Sequence, residues 1–144
     1  MTILFVRSCN RGIDAISTNQ GQSLTNKGQD ILYFDIIGKG MKGYLKNIIL
    51  LRKFIKVHKP DIIHAHYSLS GIISLLTLSG ISVGVSLMGS DLNNASFVTK
   101  NLLRILSSFF WDFTIVKSIA MKRKLKVSKC MVIQIGRASC RERV

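Results

Sequence analysis

The chain has 144 residues, room for one ordinary domain and too few for two large ones. Hydrophobic residues make up 47% and charged residues 19%, which excludes an intrinsically disordered chain. A net charge of +14 implies an anionic partner, whether a membrane surface, nucleic acid or a phosphorylated substrate. Three cysteines (Cys9, Cys130 and Cys140) without metal-like spacing argue against a disulfide framework and fit a reducing compartment.

In chain order, residues 2–7 read as a buried strand, followed by a polar loop over 8–13 that contains Asn10, Arg11 and Gly12. Asp14 or Ser17 caps a helix running to about Lys27, closed by Gly28 in a left-handed conformation. Residues 30–36 are the second strand, and Gly38, Gly40 and Gly43 make a flexible loop. A helix runs over about 42–58 and is stopped by Pro60. A third strand over 61–65 precedes a helix near 68–78. A fourth strand over 81–87 precedes a helix near 96–110. A fifth strand over 112–116 precedes a helix over 117–126, and residues 130–133 form a sixth strand. Strands alternating with helices at this spacing predict an α/β fold, a Rossmann-like parallel sheet flanked by helices and joined by right-handed crossovers.

No basic region opens the chain, so no signal peptide is read at residues 1–6. Residues 69–88 hold no charge and are long enough to span a bilayer. Inside that stretch Ile81, Val83, Val85 and Leu87 alternate with Ser82, Gly84 and Ser86, which is strand period, so the span is read as helix plus strand. Residues 135–144 differ from the rest: Arg137, Arg141 and Arg143 crowd a chain otherwise dominated by lysine. The run resembles a translated sequencing adapter and reads as a non-native tail. The expected domain is therefore 1–134, the front of a longer protein.

In an open parallel sheet, ligands bind outside the carboxyl ends of the strands. The tips of the first, third and fourth strands should lie side by side there. They would gather Asn10, Arg11 and Gly12 from the first loop, His66, Tyr67 and Ser68 from the third, and Gly89, Ser90 and Asp91 from the fourth. Helix N-termini after each loop add N–H donors suited to phosphate. His64 reads as a satisfied histidine packed within the sheet, or as a ligand. His66, past the strand end, is either functional or structural. Asp91 either caps the following helix or meets a ligand, and Arg11 is either a ligand contact or a solvated loop residue. Dinucleotide, P-loop, zinc-protease and nucleophile-elbow motifs are all missing.

The helix over 42–58 has two faces. Tyr44, Ile48, Leu51, Phe54 and Ile55 should pack on the sheet. Lys42, Lys46 and Lys53 fall opposite, with Ile49, Leu50 and Val57 beside them. Lysines mixed with exposed aliphatics suit an anionic membrane surface, and the bland alternative is a solvated helix. A second basic group is Lys122, Arg123, Lys124, Lys126 and Lys129. Nucleic acid is disfavoured, because no aromatic stacking platforms interleave with these cations.

Three segments resemble the N-terminal domain of retaining, family-4-type glycosyltransferases of the GT-B fold. Lys27-Gly28-Gln29-Asp30-Ile31 stands where that family has K-G-H-E-V. Asp61-Ile62-Ile63-His64-Ala65-His66 matches D-V-V-H-A-H, and Ser86-Leu87-Met88-Gly89-Ser90-Asp91 matches T-x-H-G-x-D. The resemblance covers about residues 1–134 and implies one half of a GT-B fold. It implies sugar transfer from a nucleotide-sugar donor to a lipid-linked or surface-polysaccharide acceptor, with no cofactor and no required metal. The first-, third- and fourth-strand tips would form the acceptor side of the cleft. The donor would sit mainly on a second domain, without which this chain would be inactive. The location expected is cytoplasmic, peripheral at the inner face of the cell membrane. Two departures stand out. The family histidine before the glycine is Met88, which cannot donate a strong hydrogen bond or move a proton. The paired glycines after the first strand are reduced to Arg11-Gly12, where a charged contact to phosphate could replace a backbone one. The rival readings are a Rossmann-like nucleotide-binding module without transferase activity and a basic nucleic-acid-binding protein.

Overall fold

The computed structural model describes residues 1–9 and 15–133. The expectations for Asn10, Arg11, Gly12, Asp14 and the tail over 135–144 lie outside the described residues. The elements are β1 (Thr2–Ser8), α1 (Ala15–Thr25), β2 (Asp30–Ile36), α2 (Gly40–His58), β3 (Ile62–His66), α3 (Ser68–Leu76), β4 (Ser82–Leu87), α4 (Ser90–Asn93), α5 (Phe97–Ile105), β5 (Phe113–Val116), α6 (Ile119–Leu125) and β6 (Cys130–Val132). All six strands pair in parallel, in the order β2-β1-β3-β4-β5-β6. The expected α/β Rossmann-like sheet is present, and β1, β3 and β4 are neighbours as anticipated.

The order dictates the layers. From β1 the chain steps one way to β2, then returns and steps the other way through β3, β4, β5 and β6. Right-handed crossovers then put α1 on one face of the sheet and α2, α3, α5 and α6 on the other. The second face is the apolar one. Leu4, Val6, Ile63, Ala65, Val83 and Val85 point into it and meet Leu51 and Ile55 of α2 and Ile73 of α3. A Cβ on Gly71 would sit 2.6 Å from Val85 Cγ2 and 2.9 Å from Trp111 Cζ2, so a glycine is what lets α3 lie this close to the sheet. The first face carries Phe5, Arg7, Tyr33, Asp35, His64 and His66, in matched register along β1, β2 and β3. It is the polar face.

Several local readings change. Gly43 is not in the loop but inside α2, which begins at Gly40. Asn47 Nδ2 donates to Gly43 O at 2.7 Å and to Ile37 O at 2.8 Å, tying the first turns of α2 to the segment before it. Ser17 is not a cap: it is the third residue of α1 and fully buried. Gly28 is left-handed, with φ +82, as expected, although α1 ends at Thr25. The helix expected over 96–110 is α5, capped by Ser96, whose Oγ accepts from Thr99 N at 3.3 Å. It continues as a π-helical turn, Leu106–Phe110, closed by Trp111 N donating to Leu106 O at 2.9 Å. A separate short helix, α4, precedes it. Among the described residues no helix is long and apolar enough to cross a membrane, and Ser82–Leu87 is the strand its alternation indicated.

Candidate functional site

The carboxyl ends of β1, β3 and β4 converge through the backbone. Val6 pairs with Ala65, and His66 pairs with Ser86. Beyond β3, Tyr67 N donates to Ser86 O at 3.0 Å, so the two tips are stitched past the last strand pair. Tyr67 has φ 76 and ψ 154, a conformation that glycine adopts freely and tyrosine does not. It precedes the first turn of α3. Such a conformation persists where the surroundings hold it, here through the bond to the neighbouring strand. Gly89, with φ 96, makes the matching turn after β4 and is the N-cap of α4. Tyr67, Ser68, Met88 and Gly89 are all half-buried at this edge, and Ser90 and Asp91 open α4. The N-cap positions of the two helices after β4 are Gly89 and Ser96, and Asp91 is the second residue of α4.

The two histidines behave differently from their expected positions. His64 is buried in the sheet packing, and its Nε2 lies 2.7 Å from Ser86 Oγ. His66 is not past the strand end: it is the last residue of β3 and has 0% exposure. Neither ring nitrogen of His66 has a hydrogen-bond partner among the described residues. The rings stack at 4.6 Å, and Phe5 sets its ring edgewise against both, at 5.1 Å and 4.8 Å. Burial, then the neighbouring His66, pushes His64 down to about 3. Burial, then the Arg7 charge, pushes His66 down to about 4. Both are neutral rings at neutral pH.

Arg7, which the sequence-based expectations did not include, is the charged residue behind this edge. It is buried at the end of β1, and its Nε lies 2.5 Å from Asp35 Oδ1 on β2. Its Nη1 donates to Thr18 Oγ1 at 3.0 Å and, more weakly, to Ser17 Oγ at 3.4 Å, and the guanidinium lies 4.4 Å over the Tyr33 ring. Burial works to lower its pKa, but the hydrogen bond and charge of Asp35 outweigh it and leave it raised. The signal was present: one arginine and one aspartate interrupt otherwise apolar runs, Ile3–Val6 and Ile31–Phe34, at the same distance from their starts. In a parallel register those two positions meet. Arg7 therefore fixes the first turn of α1 against β1 and β2 and places a permanent cation beside His66.

Two grooves open at the opposite, N-terminal edge of the sheet. One, about 460 Å³, is lined by residues including Arg52, Lys56, Lys59 and Leu78. The other, about 300 Å³, runs past Ser79, Gly80 and Asp112. Neither touches the β3 and β4 tips.

The exposed arc of α2 holds Lys42, Lys46, Ile49, Leu50, Lys53 and Val57, while Leu51 and Ile55 are buried and Tyr44, Ile48 and Phe54 half-buried. This is the expected division of faces.

A family described as "Glycosyl transferase 4-like" matches residues 3–118, from β1 to just past β5. No curated protein matches the chain. The matched span contains the strand tips described above and the polar network behind them, and it covers most of the sequence. The chain belongs to the glycosyl transferase 4-like family.

Proposed function

We propose that this domain is the acceptor-side wall of a retaining glycosyltransferase cleft. The full enzyme moves a sugar from a nucleotide-sugar donor to a lipid-linked or surface-polysaccharide acceptor, without a metal or other cofactor. The donor nucleotide is held mainly by a second domain following residue 134, and the fragment alone does not turn over, because orientation of two bound substrates needs both walls. The observation that carries this reading is the family match across the sheet edge where the β1, β3 and β4 tips meet. Asn10, Arg11, Gly12, Tyr67, Ser68, Gly89, Ser90 and Asp91 contact the acceptor or the edge of the donor. His66, closed to solvent, sets the β3 tip from beneath. Met88 cannot carry a proton, so polar contacts to the acceptor fall to Ser90 and Asp91. The enzyme works at the inner face of the cell membrane, with Lys42, Lys46, Ile49, Leu50 and Lys53 of α2 against anionic lipid, each lysine worth about 1 kcal/mol there.

Asp91 tests the acceptor site. In the protein carrying its donor-binding domain, Asp91→Asn keeps the size of the side chain but loses the charge and turns one acceptor oxygen into an N–H donor. It is expected to lower kcat/KM by about tenfold or more, on the order of 1.4 kcal/mol of transition-state stabilisation, with an unchanged Tm. Full activity in Asp91→Asn would remove Asp91 from the site.

A further inference from the structure

α5 and the π-helical turn after it carry a feature that sugar transfer does not require. Val98, Leu102, Ile105 and Phe109 recur at the spacing that makes one stripe along a helix. On an ordinary surface helix that stripe packs inward. Here it is Leu103 and Leu106 that are buried, and the stripe faces solvent, with Val98 75% and Phe109 79% exposed. Phe97 and Phe110 are exposed as well. Single exposed apolar residues need no explanation, but six on one helical segment do.

Charge identifies the occupant. α5 is joined to α6 by Arg104, whose Nε donates to Leu125 O at 3.0 Å. Arg123, Lys124 and Lys126 are exposed on and just after α6. Between residues 97 and 129 there are eight cationic side chains and a single carboxylate, Asp112, whose Oδ2 accepts from Val83 N at 2.8 Å. A second copy of a chain with net charge +14 would bring like charge onto like charge at this patch. An anionic bilayer takes the aromatics into its acyl region and the cations at its headgroups. The topology adds a second argument. α2, α3, α5 and α6 form one layer on the same face of the sheet, so the exposed lysine–aliphatic arc of α2 and the α5 stripe both look away from the sheet on the same side.

We propose that the outer face of this helical layer is a bilayer-binding surface, with the α5 stripe as its inserted anchor and the cations of α2 and α6 on anionic headgroups. This rests on the reading of α2 as membrane-facing and adds the element that enters the acyl region.

Two measurements on the 144-residue chain test it, using phosphatidylcholine vesicles with and without phosphatidylglycerol. In Phe109→Trp, the introduced tryptophan should shift to the blue on vesicles containing phosphatidylglycerol and be quenched by brominated acyl chains. The native Trp111, buried in the core, should not respond. The double variant Val98→Ser/Phe109→Ser should partition about tenfold more weakly, with its Tm unchanged because both positions are exposed. Undiminished binding of the double variant, with an unquenched introduced tryptophan, overturns the anchor and leaves α2 as the membrane contact. Absence of vesicle binding by the wild-type chain overturns the α2 reading and the anchor together. Self-association that Phe109→Ser abolishes would make the stripe a chain–chain interface and likewise overturn the proposal.

Discussion

Acidification through the histidine range is expected to cost this protein stability on the order of 5 kcal/mol, a large part of what a domain of this size has. The unfolded chain takes protons on His64 and His66 near the ordinary value of 6.5, whereas the folded chain resists until about 3 and about 4. Both folded values are depressed, so this stability is complete above pH 6.5 and falls as the pH drops toward 4. Burial is the main cause, and the stacked rings and the nearby Arg7 guanidinium add repulsion once either ring is charged. Urea titrations across this range should show the loss. His66→Phe should make the profile shallower by removing the smaller share of the loss, with the His64 share remaining. Because neither His66 nitrogen has a hydrogen-bond partner among the described residues, that ring-for-ring exchange should be neutral or stabilising at neutral pH. A pH profile that is as steep in His66→Phe as in the wild type would refute the account of this pair.

Arg7→Met is the second large effect. The substitution removes the ion pair with Asp35, the hydrogen bonds to Thr18 and Ser17 and the cation over Tyr33. Breaking a fully buried pair costs about 3–5 kcal/mol. The Asp35 side chain is 35% exposed and can rehydrate, so a loss of about 2–3 kcal/mol is expected. The first turn of α1 should loosen first, visible as faster amide exchange at Ser17 and Thr18. Arg7→Met/Asp35→Leu should recover part of the loss by removing the stranded carboxylate. Equal stability of Arg7→Met and wild type would show that Arg7 does not hold α1 in place.

The residues that could be read from sequence are those whose role depends on local pattern. The alternation from Ile81 to Leu87 gave β4, Pro60 and the apolar spacing of Leu51 and Ile55 gave α2, and Gly28 gave the turn into β2. The tip positions Tyr67, Ser68 and Gly89 also came from local logic, because each follows directly on a strand. What was not legible depended on register and packing. Whether His66 lies past β3 or ends it shifts by a single residue, and that residue decides between an exposed ring and a buried one. The Arg7–Asp35 pair joins positions far apart in sequence and becomes visible only once β1 and β2 are aligned. Gly43 looked like a loop residue because glycine usually is one. Its place inside α2 follows from the approach of the Gly38 backbone, which would lie 3.1 Å from a Cβ there. The exposed stripe of α5 was hidden for the opposite reason: its spacing is that of an inward face, and only the fold shows which way it points.

The central claim is that this domain is half of a sugar-transferring cleft. The measurement that tests it most directly is transfer of labelled sugar from a panel of nucleotide sugars to extracted membrane lipids and glycans, by a protein that carries the donor-binding domain proposed above. The account predicts labelled product that forms with the anomeric configuration of the donor retained, and none from the 144-residue chain alone. Nucleotide binding without transfer to any acceptor, or transfer by the 144-residue chain unaided, would contradict it.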